Sequence, residues 1–357
     1  RLITAPFDRR RPLWEFVAIV GLRGGKAAMV QRLHHTITDG QGGLKLSLEF
    51  IDFERDAPQR PPVQAPTVER DQSSLTRDVA QAFGHVARRQ LGMAQRAITA
   101  PLSALSHPRE LLRDVVTTKE TLESIARQAN VGDRPLSPLW TERSLSRAYR
   151  HLDVNLKRTK AVAKRFGVSI NDIFVAGTLL GAATYHREFG TEADTLRMAM
   201  PISQRSRSSL GGNLFAPSQS VLPGAVETPS ETIAAVHDVL AVTKAARALA
   251  ATEALAGAAN LLPTSLVTRA GFRVASTIDF VTSNLRAAPV DTFMAGALME
   301  SNYPIGPLMG AAFNVTTMSF HGTLNMGVIM DTAAITEPDL LIRCLSDAFR
   351  ATLAAKP

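Results

Sequence analysis

Residues Asn171 to Phe189 form a strongly apolar stretch, with Ser169 just ahead of it as a suitable helix N-cap. A helix of this composition has to be enclosed by other structure. Its best apolar run, Ile173 to Tyr185, follows Asp172 and falls short of the ~18 residues that a membrane span requires. An interior helix of a layered domain is therefore expected. The surrounding pattern supplies the layers. Ala148 to Val154 and Leu196 to Ile202 read as strands, and Leu156 to Phe166 as a helix. Glu231 to Gly257 reads as an alanine-rich helix. Thr277 to Asn284 reads as a strand, and Phe313 to Phe320 with Thr323 to Met330 as a hairpin across His321-Gly322. Pro338 to Leu353 reads as a closing helix. Strands alternating with helices predict an α/β fold with α+β layers.

The N-terminal part is organised differently. Phe16 to Val20 and Ala27 to His34 are short apolar runs around Gly21-Leu22-Arg23-Gly24-Gly25-Lys26, which predicts two strands and a glycine-rich turn. Gly40, Gly42 and Gly43 then break the chain, and Leu44 to Phe53 has helical spacing. Asp56 to Pro66 is punctuated by four prolines and reads as a linker. Ser74 to Ala97 reads as a long helix with Leu75, Val79, Phe83 and Val86 on one face. Asn130 to Pro138 is a second polar, proline-punctuated stretch. The first residues read like the middle of a domain, so a fragment or processed product is expected.

A net charge of +8 over 357 residues admits nucleic acid, anionic lipid or a phosphate-bearing ligand as partners, or simply a solubilising surface. Neither zinc-finger spacing nor an RNP-like aromatic motif is present, which ranks nucleic acid last. The single cysteine, Cys344, sits between Leu341, Ile342 and Leu345, as a packing residue would.

The chemistry-bearing motif is His34-His35-Thr36-Ile37-Thr38-Asp39-Gly40, placed where the second strand ends. Imidazole has the side-chain pKa nearest neutrality and can take a proton from a hydroxyl and return it. Such a base must be held in one orientation. Asp39, four residues after His35, is near enough to help if the chain turns, or it can fix the loop. Gly40 permits a sharp turn and close backbone approach to a ligand. Adjacent histidines splay apart and no third ligand lies close by, so no metal is expected.

The run resembles the HHxxxDG signature of the CoA-dependent acyltransferase superfamily, which includes chloramphenicol acetyltransferase. More closely, the chain resembles the bacterial wax ester synthase/diacylglycerol acyltransferase family. Pro12-Leu13-Trp14 looks like that family's PLW segment, and Asn171-Asp172 like its ND motif. Leu210-Gly211-Gly212-Asn213 resembles a loop there, and Ser283-Asn284 a Ser-Asn strand end. Tyr303 to Pro307 and Asn314 to Asp331 match its C-terminal region. The chain departs from the family at Leu285-Arg286-Ala287-Ala288-Pro289, where Val-Pro-Gly-Pro is usual, and in having two glycines before Asn213.

The resemblance implies two chloramphenicol-acetyltransferase-like halves with the active-site channel between them. It divides the chain into residues 1–70, the remainder of the N-terminal half; 71–140, a helical connector; and 141–357, the C-terminal half. A further N-terminal portion would precede Arg1 or sit on a separate chain. The implied reaction moves a long-chain acyl group from acyl-CoA to diacylglycerol or a fatty alcohol, with acyl-CoA as co-substrate and no cofactor. His35 would be the base, with His34 and Asp39 beside it. Gly40, Pro12, Trp14, Asn171 and Asp172 would give structural support. Ser283, Asn284 and Asn213 are candidates for oxyanion or substrate binding. The implied location is cytoplasmic, peripheral to membrane or lipid inclusions. A smaller alcohol or an amine as acceptor, or a non-catalytic acyl-CoA- or lipid-binding role, is the alternative.

Overall fold

The computed structural model describes residues 2–58, 134–203, 215–249, 264–287 and 289–357. The chain divides into one unit of residues 1–57, 128–246 and 268–357, and a second of 58–127 and 247–267. The second unit, and with it the helix expected over 74–97, lies almost wholly outside the described residues.

In the first unit, β1 (Trp14–Leu22) and β2 (Lys26–Leu33) pair antiparallel, with Trp14 opposite Leu33. A short 3-10 turn joins them, and Gly24 and Gly25 take left-handed φ of 75° and 69° there. The next helix, α1, runs Gly40–Ser47, earlier than the Leu44 to Phe53 expected from spacing. Its start is set by Asp39, which caps it, and the cap outweighs the poor helix propensity of the glycines. Beyond Ser47 the backbone continues in i→i−3 turns, Glu49 N–H to Leu46 O and Phe50 N–H to Ser47 O, which accounts for the longer apparent period.

The remaining elements are β3 (Arg147–Asn155), α2 (Leu156–Phe166), α3 (Ile170–Glu188), β4 (Thr195–Ser203), β5 (Phe215–Pro223), α4 (Pro229–Leu249), α5 (Thr264–Ala275), β6 (Phe280–Arg286), β7 (Phe293–Met294), β8 (Ala297–Leu298), β9 (Phe313–Phe320), β10 (Thr323–Asp331) and α6 (Pro338–Ala354). Six strands form one mixed sheet in the order β3-β10-β9-β6-β4-β5. Strands β4, β6 and β9 are parallel and the other pairings antiparallel. The β9–β10 hairpin turns at His321 and Gly322, both left-handed with φ of 43° and 73°, as a tight two-residue hairpin requires.

One face of the sheet carries Met198, Leu222, Phe280, Phe313, Val315, Met326 and Val328. They form a single apolar core with α3 and α6. The interior helix expected from the sequence is α3, buried along nearly its whole length. Its Gly177 and Gly181 admit α6: a methyl at Gly181 would lie 2.8 Å from the Leu345 Cα. Cys344 is also buried on α6, and burial pushes its thiol up to about 11. The opposite face is more polar and is crossed by residues 303–307. Gly306 N–H donates to Thr316 Oγ1, and Asn314 Nδ2 donates to Pro307 O. Glycine is required at 327, where a methyl would lie 2.1 Å from Pro304 O.

Arg55 donates to Gly296 O, Asp52 bridges to Phe293, and Lys26 pairs with Glu300, so the N-terminal segment is stitched to residues 293–300.

His186 in α3 is fully buried, with Nδ1 2.8 Å from Ala182 O and Nε2 2.8 Å from Ser137 Oγ. The Nδ1–H tautomer satisfies both contacts, and burial lowers its pKa from the ordinary 6.5. The native ring therefore stays neutral at pH values where the unfolded chain takes up a proton. Its contribution is complete above pH ~6.5 and is lost as pH falls below that value. Melting temperature measured from pH 8 to pH 5 should fall less steeply for His186→Gln than for the wild type.

Candidate active site

The histidine turn is fixed by main-chain bonds at both ends. His34 N–H donates to Leu13 O at 2.9 Å, and Ile37 N–H donates to His34 O at 2.9 Å. Leu13 lies between Pro12, which is exposed, and Trp14, which opens β1 and is half-exposed. The Pro12-Leu13-Trp14 segment thus serves as strand entry and anchors the turn through its backbone.

The first histidine is tied into the turn. His34 Nδ1 accepts from Thr36 N–H at 3.2 Å and lies 2.8 Å from Thr36 Oγ1. An accepting Nδ1 means the Nε2–H tautomer, so this ring is tied into its own turn. Its edge also meets the Phe7 ring, with centroids 5.9 Å apart. His35 follows in the turn, half-buried.

Asp39 is buried and accepts from Gly42 N–H at 2.9 Å as the N-cap of α1, while Gly43 N–H donates to Asp39 O. Gly40 is the first residue of α1 and has no left-handed φ. A methyl on it would meet the Leu285 δ-carbons at 3.5 Å, an ordinary contact. The sharp turn invoked for Gly40 is therefore absent, and what the position does is bring the turn against the end of β6.

Strand β6 carries Ser283 and Asn284. Successive strand residues point to opposite faces. Ser283 shares with Leu285 the face that meets Gly40. Asn284 points to the helix side, where its Nδ2 lies 3.4 Å from Asn171 Oδ1. The Ser-Asn pair is thus divided between the two faces. Asn213 lies outside the described residues.

Asn171 and Asp172 open α3. Asp172 and Ser169 form a reciprocal capping box, and Asp172 Oδ2 also lies 3.0 Å from His237 Nδ1. Asn171 Nδ2 reaches the Met200 sulfur at 3.5 Å.

Several polar groups here had no marker in the sequence. Thr38 Oγ1 and Gln31 Nε2, beside the histidine turn, are buried without a hydrogen-bond partner, although Gln31 Oε1 accepts from Ser47 Oγ. Thr38 falls at a variable position of the motif. The place of Gln31 depends on pairing between strands. Among the described residues no group of three or more His, Cys, Asp or Glu is placed to hold a metal ion.

A family model described as the wax ester synthase/diacylglycerol acyltransferase catalytic domain matches residues 1–174, and that family's C-terminal domain matches 211–352. A putative diacylglycerol O-acyltransferase of Mycobacterium tuberculosis is 29% identical over 362 residues, covering 99% of this chain and 72% of the relative. A second from that organism is 27% identical over 351 residues, covering 92% and 70%. The solved wax ester synthase/diacylglycerol acyltransferase from Marinobacter aquaeolei VT8 superposes with a TM-score of 0.62 at 19% identity. It covers 98% of this chain and 72% of its own, and shares the mixed α/β fold.

Proposed function

The chain belongs to the wax ester synthase/diacylglycerol acyltransferase family, a family of acyltransferase enzymes, and from that premise we propose that His35 is the general base for acyl transfer from acyl-CoA to diacylglycerol or a fatty alcohol. The supporting observation is the fixed frame of the histidine turn that carries the half-buried His35. His34 is bonded back to Thr36 and Asp39 to the first turn of α1, while Gly40 brings the turn against Leu285.

In this reading the imidazole of His35 takes the hydroxyl proton of the acceptor. The oxygen attacks the thioester carbonyl carbon, and the tetrahedral oxyanion is held by fixed donors. Ser283, on the face that meets the turn, is the candidate donor from this chain. As the intermediate collapses the C–S bond breaks, and the CoA sulfur takes the proton back from His35. No acyl-enzyme is needed. The histidine turn would belong to one acetyltransferase-like half within residues 1–70 and the sheet to the other within 141–357. Residues 71–140 would connect them, and the substrate channel would lie between the halves.

The test is CoA release from palmitoyl-CoA, with hexadecanol or dioleoylglycerol as acceptor. Acceptor-dependent release establishes the activity and ranks the two acceptors. Folded protein that releases none with either acceptor refutes this reading.

The acceptors are insoluble, which places the protein, in the same reading, in the cytoplasm at the surface of a membrane or lipid inclusion. Among the described residues no single helix is long and apolar enough to cross a membrane. Arg9, Arg10 and Arg11 are exposed, and Arg11 lies 3.6 Å from Asp8. Arginines at an anionic surface contribute ~1 kcal/mol each. The protein is expected to float with phosphatidylglycerol vesicles at low salt and to release at high salt. Absence of binding at low salt would sink the surface assignment.

A further inference from the structure

We propose that the basic outer face of α2 docks the enzyme on an anionic lipid surface; this rests on the surface location proposed above. From Leu156 to Phe166 the helix carries five cations and no anion. Thr159, Val162 and Ala163 form its buried side. Lys157, Lys160 and Lys164 follow at i, i+3 and i+7 on the outer side, flanked by Arg158 and Arg165, and all five are exposed.

This charge works against the helix that carries it. Lys157 and Arg158 stand in the first turn, where the helix dipole favours anions, and no acid is there to offset them. Lys160 and Lys164 are a like-charged pair four residues apart, which is also destabilising. Elsewhere exposed cations are paired, Lys26 with Glu300, Arg150 with Asp339 and Arg350 with Asp347. Among the described residues no carboxylate pairs with any of the five on α2. Charge set against local stability and left uncompensated is charge available to a partner.

The helix lies at the end of the sheet where the histidine turn sits. At its start Leu156 N–H donates to Gly322 O in the β9–β10 turn. At its other end the chain bends by 101° into α3, whose Asn171 Oδ1 lies 3.4 Å from Asn284 Nδ2 on β6. Next to Asn284, Leu285 meets Gly40, and Arg286 beyond it is exposed. A surface lying against the basic face therefore lies beside the end of β6 that the histidine turn contacts. The chemistry of the face selects the occupant. Lysines and arginines with no aromatic or carboxamide side chain among them recognise charge density and read no base edge. Clusters of four to eight such cations on an amphipathic helix suit anionic headgroups. A leaflet of those headgroups also holds the insoluble acceptor.

The test is flotation with phosphatidylglycerol vesicles at low salt, comparing wild type with Lys157→Gln/Lys160→Gln/Lys164→Gln. Each cation at an anionic surface contributes about fivefold in binding, so the variant should partition about a hundredfold more weakly. Its melting temperature should be unchanged or higher. Arg23→Gln/Arg134→Gln/Arg343→Gln removes the same charge from three separate exposed places and should lose less than about tenfold. Turnover of dioleoylglycerol in the vesicles should fall with binding of the α2 variant. In neutral detergent micelles its kcat and its KM for palmitoyl-CoA should match the wild type. A raised KM there would assign the face to the CoA phosphates and overturn the lipid assignment. Equal losses in the two variants would overturn it as an effect of net charge. Vesicle binding retained by the α2 variant, with binding to a duplex RNA lost instead, would overturn it in favour of nucleic acid. Equal vesicle binding by wild type and the α2 variant overturns the docking face and leaves the surface location standing. Failure of the wild type to bind overturns both.

Discussion

CoA release from palmitoyl-CoA is expected to fall ~10²–10⁴-fold when His35 is replaced by alanine, the range over which a positioned general base contributes. The loss should appear in kcat, because the proton is transferred only as the oxygen attacks. The main-chain frame of the turn should persist in the variant. The turn is held by His34 N–H to Leu13 O, by Ile37 N–H to His34 O and by the Asp39 cap, none of which uses the His35 side chain. His34→Ala provides the contrast. It removes an acceptor of the Thr36 N–H and the edge contact with Phe7. Its loss of rate should therefore come with a lower melting temperature. If His35→Ala turned over palmitoyl-CoA at the wild-type rate, the assignment of the base would be wrong, whatever the fate of the family activity.

Gly181→Val should lower the melting temperature by ~4–5 °C, from roughly 3 kcal/mol of overpacking. The first added carbon already lies 2.8 Å from the Leu345 Cα and 3.1 Å from its backbone nitrogen. Backbone atoms cannot rotate aside as a side chain can, so α6 has to move away from α3. That movement opens the contact between Leu345, which is fully buried, and the rest of the core. A glycine in an open place provides the control. Gly271 on α5 has nothing within 4 Å of an added methyl, so Gly271→Ala should be neutral or stabilising by ~0.5–1 kcal/mol. If the two variants melted together, close packing of α3 on α6 would not be the reason for glycine at 181.

Local signals carried most of the fold. Helix α2 begins and ends at Leu156 and Phe166 as read, because Asn155 caps it and Gly167 closes it in a left-handed conformation with φ of 69°. The last hairpin was readable for the same reason, since its turn residues adjoin. Strand β5 had no such signal. Pro217 and Pro223 interrupt it, and it tolerates them as an edge strand. Helix α1 starts earlier than its spacing predicts because the Asp39 cap outweighs the helix-breaking tendency of its glycines. The candidate site divides along the same line. The histidine run is contiguous and stands out in sequence. Neither the opposite facing of Ser283 and Asn284 nor the pairing of Asn284 with Thr317 can be read locally, because register across strands decides both.

The burial of Cys344 has a practical consequence. Its sulfur is enclosed and its thiol titrates only near 11, so a chromogenic disulfide reagent near pH 8 finds no reactive protein thiolate in the native enzyme. The colour that develops during turnover then reports liberated CoA alone. In denaturant the same reagent titrates a single sulfhydryl per polypeptide and so standardises enzyme concentration. Followed during mild heating without substrate, its reaction becomes a clock for the separation of α6 from the sheet.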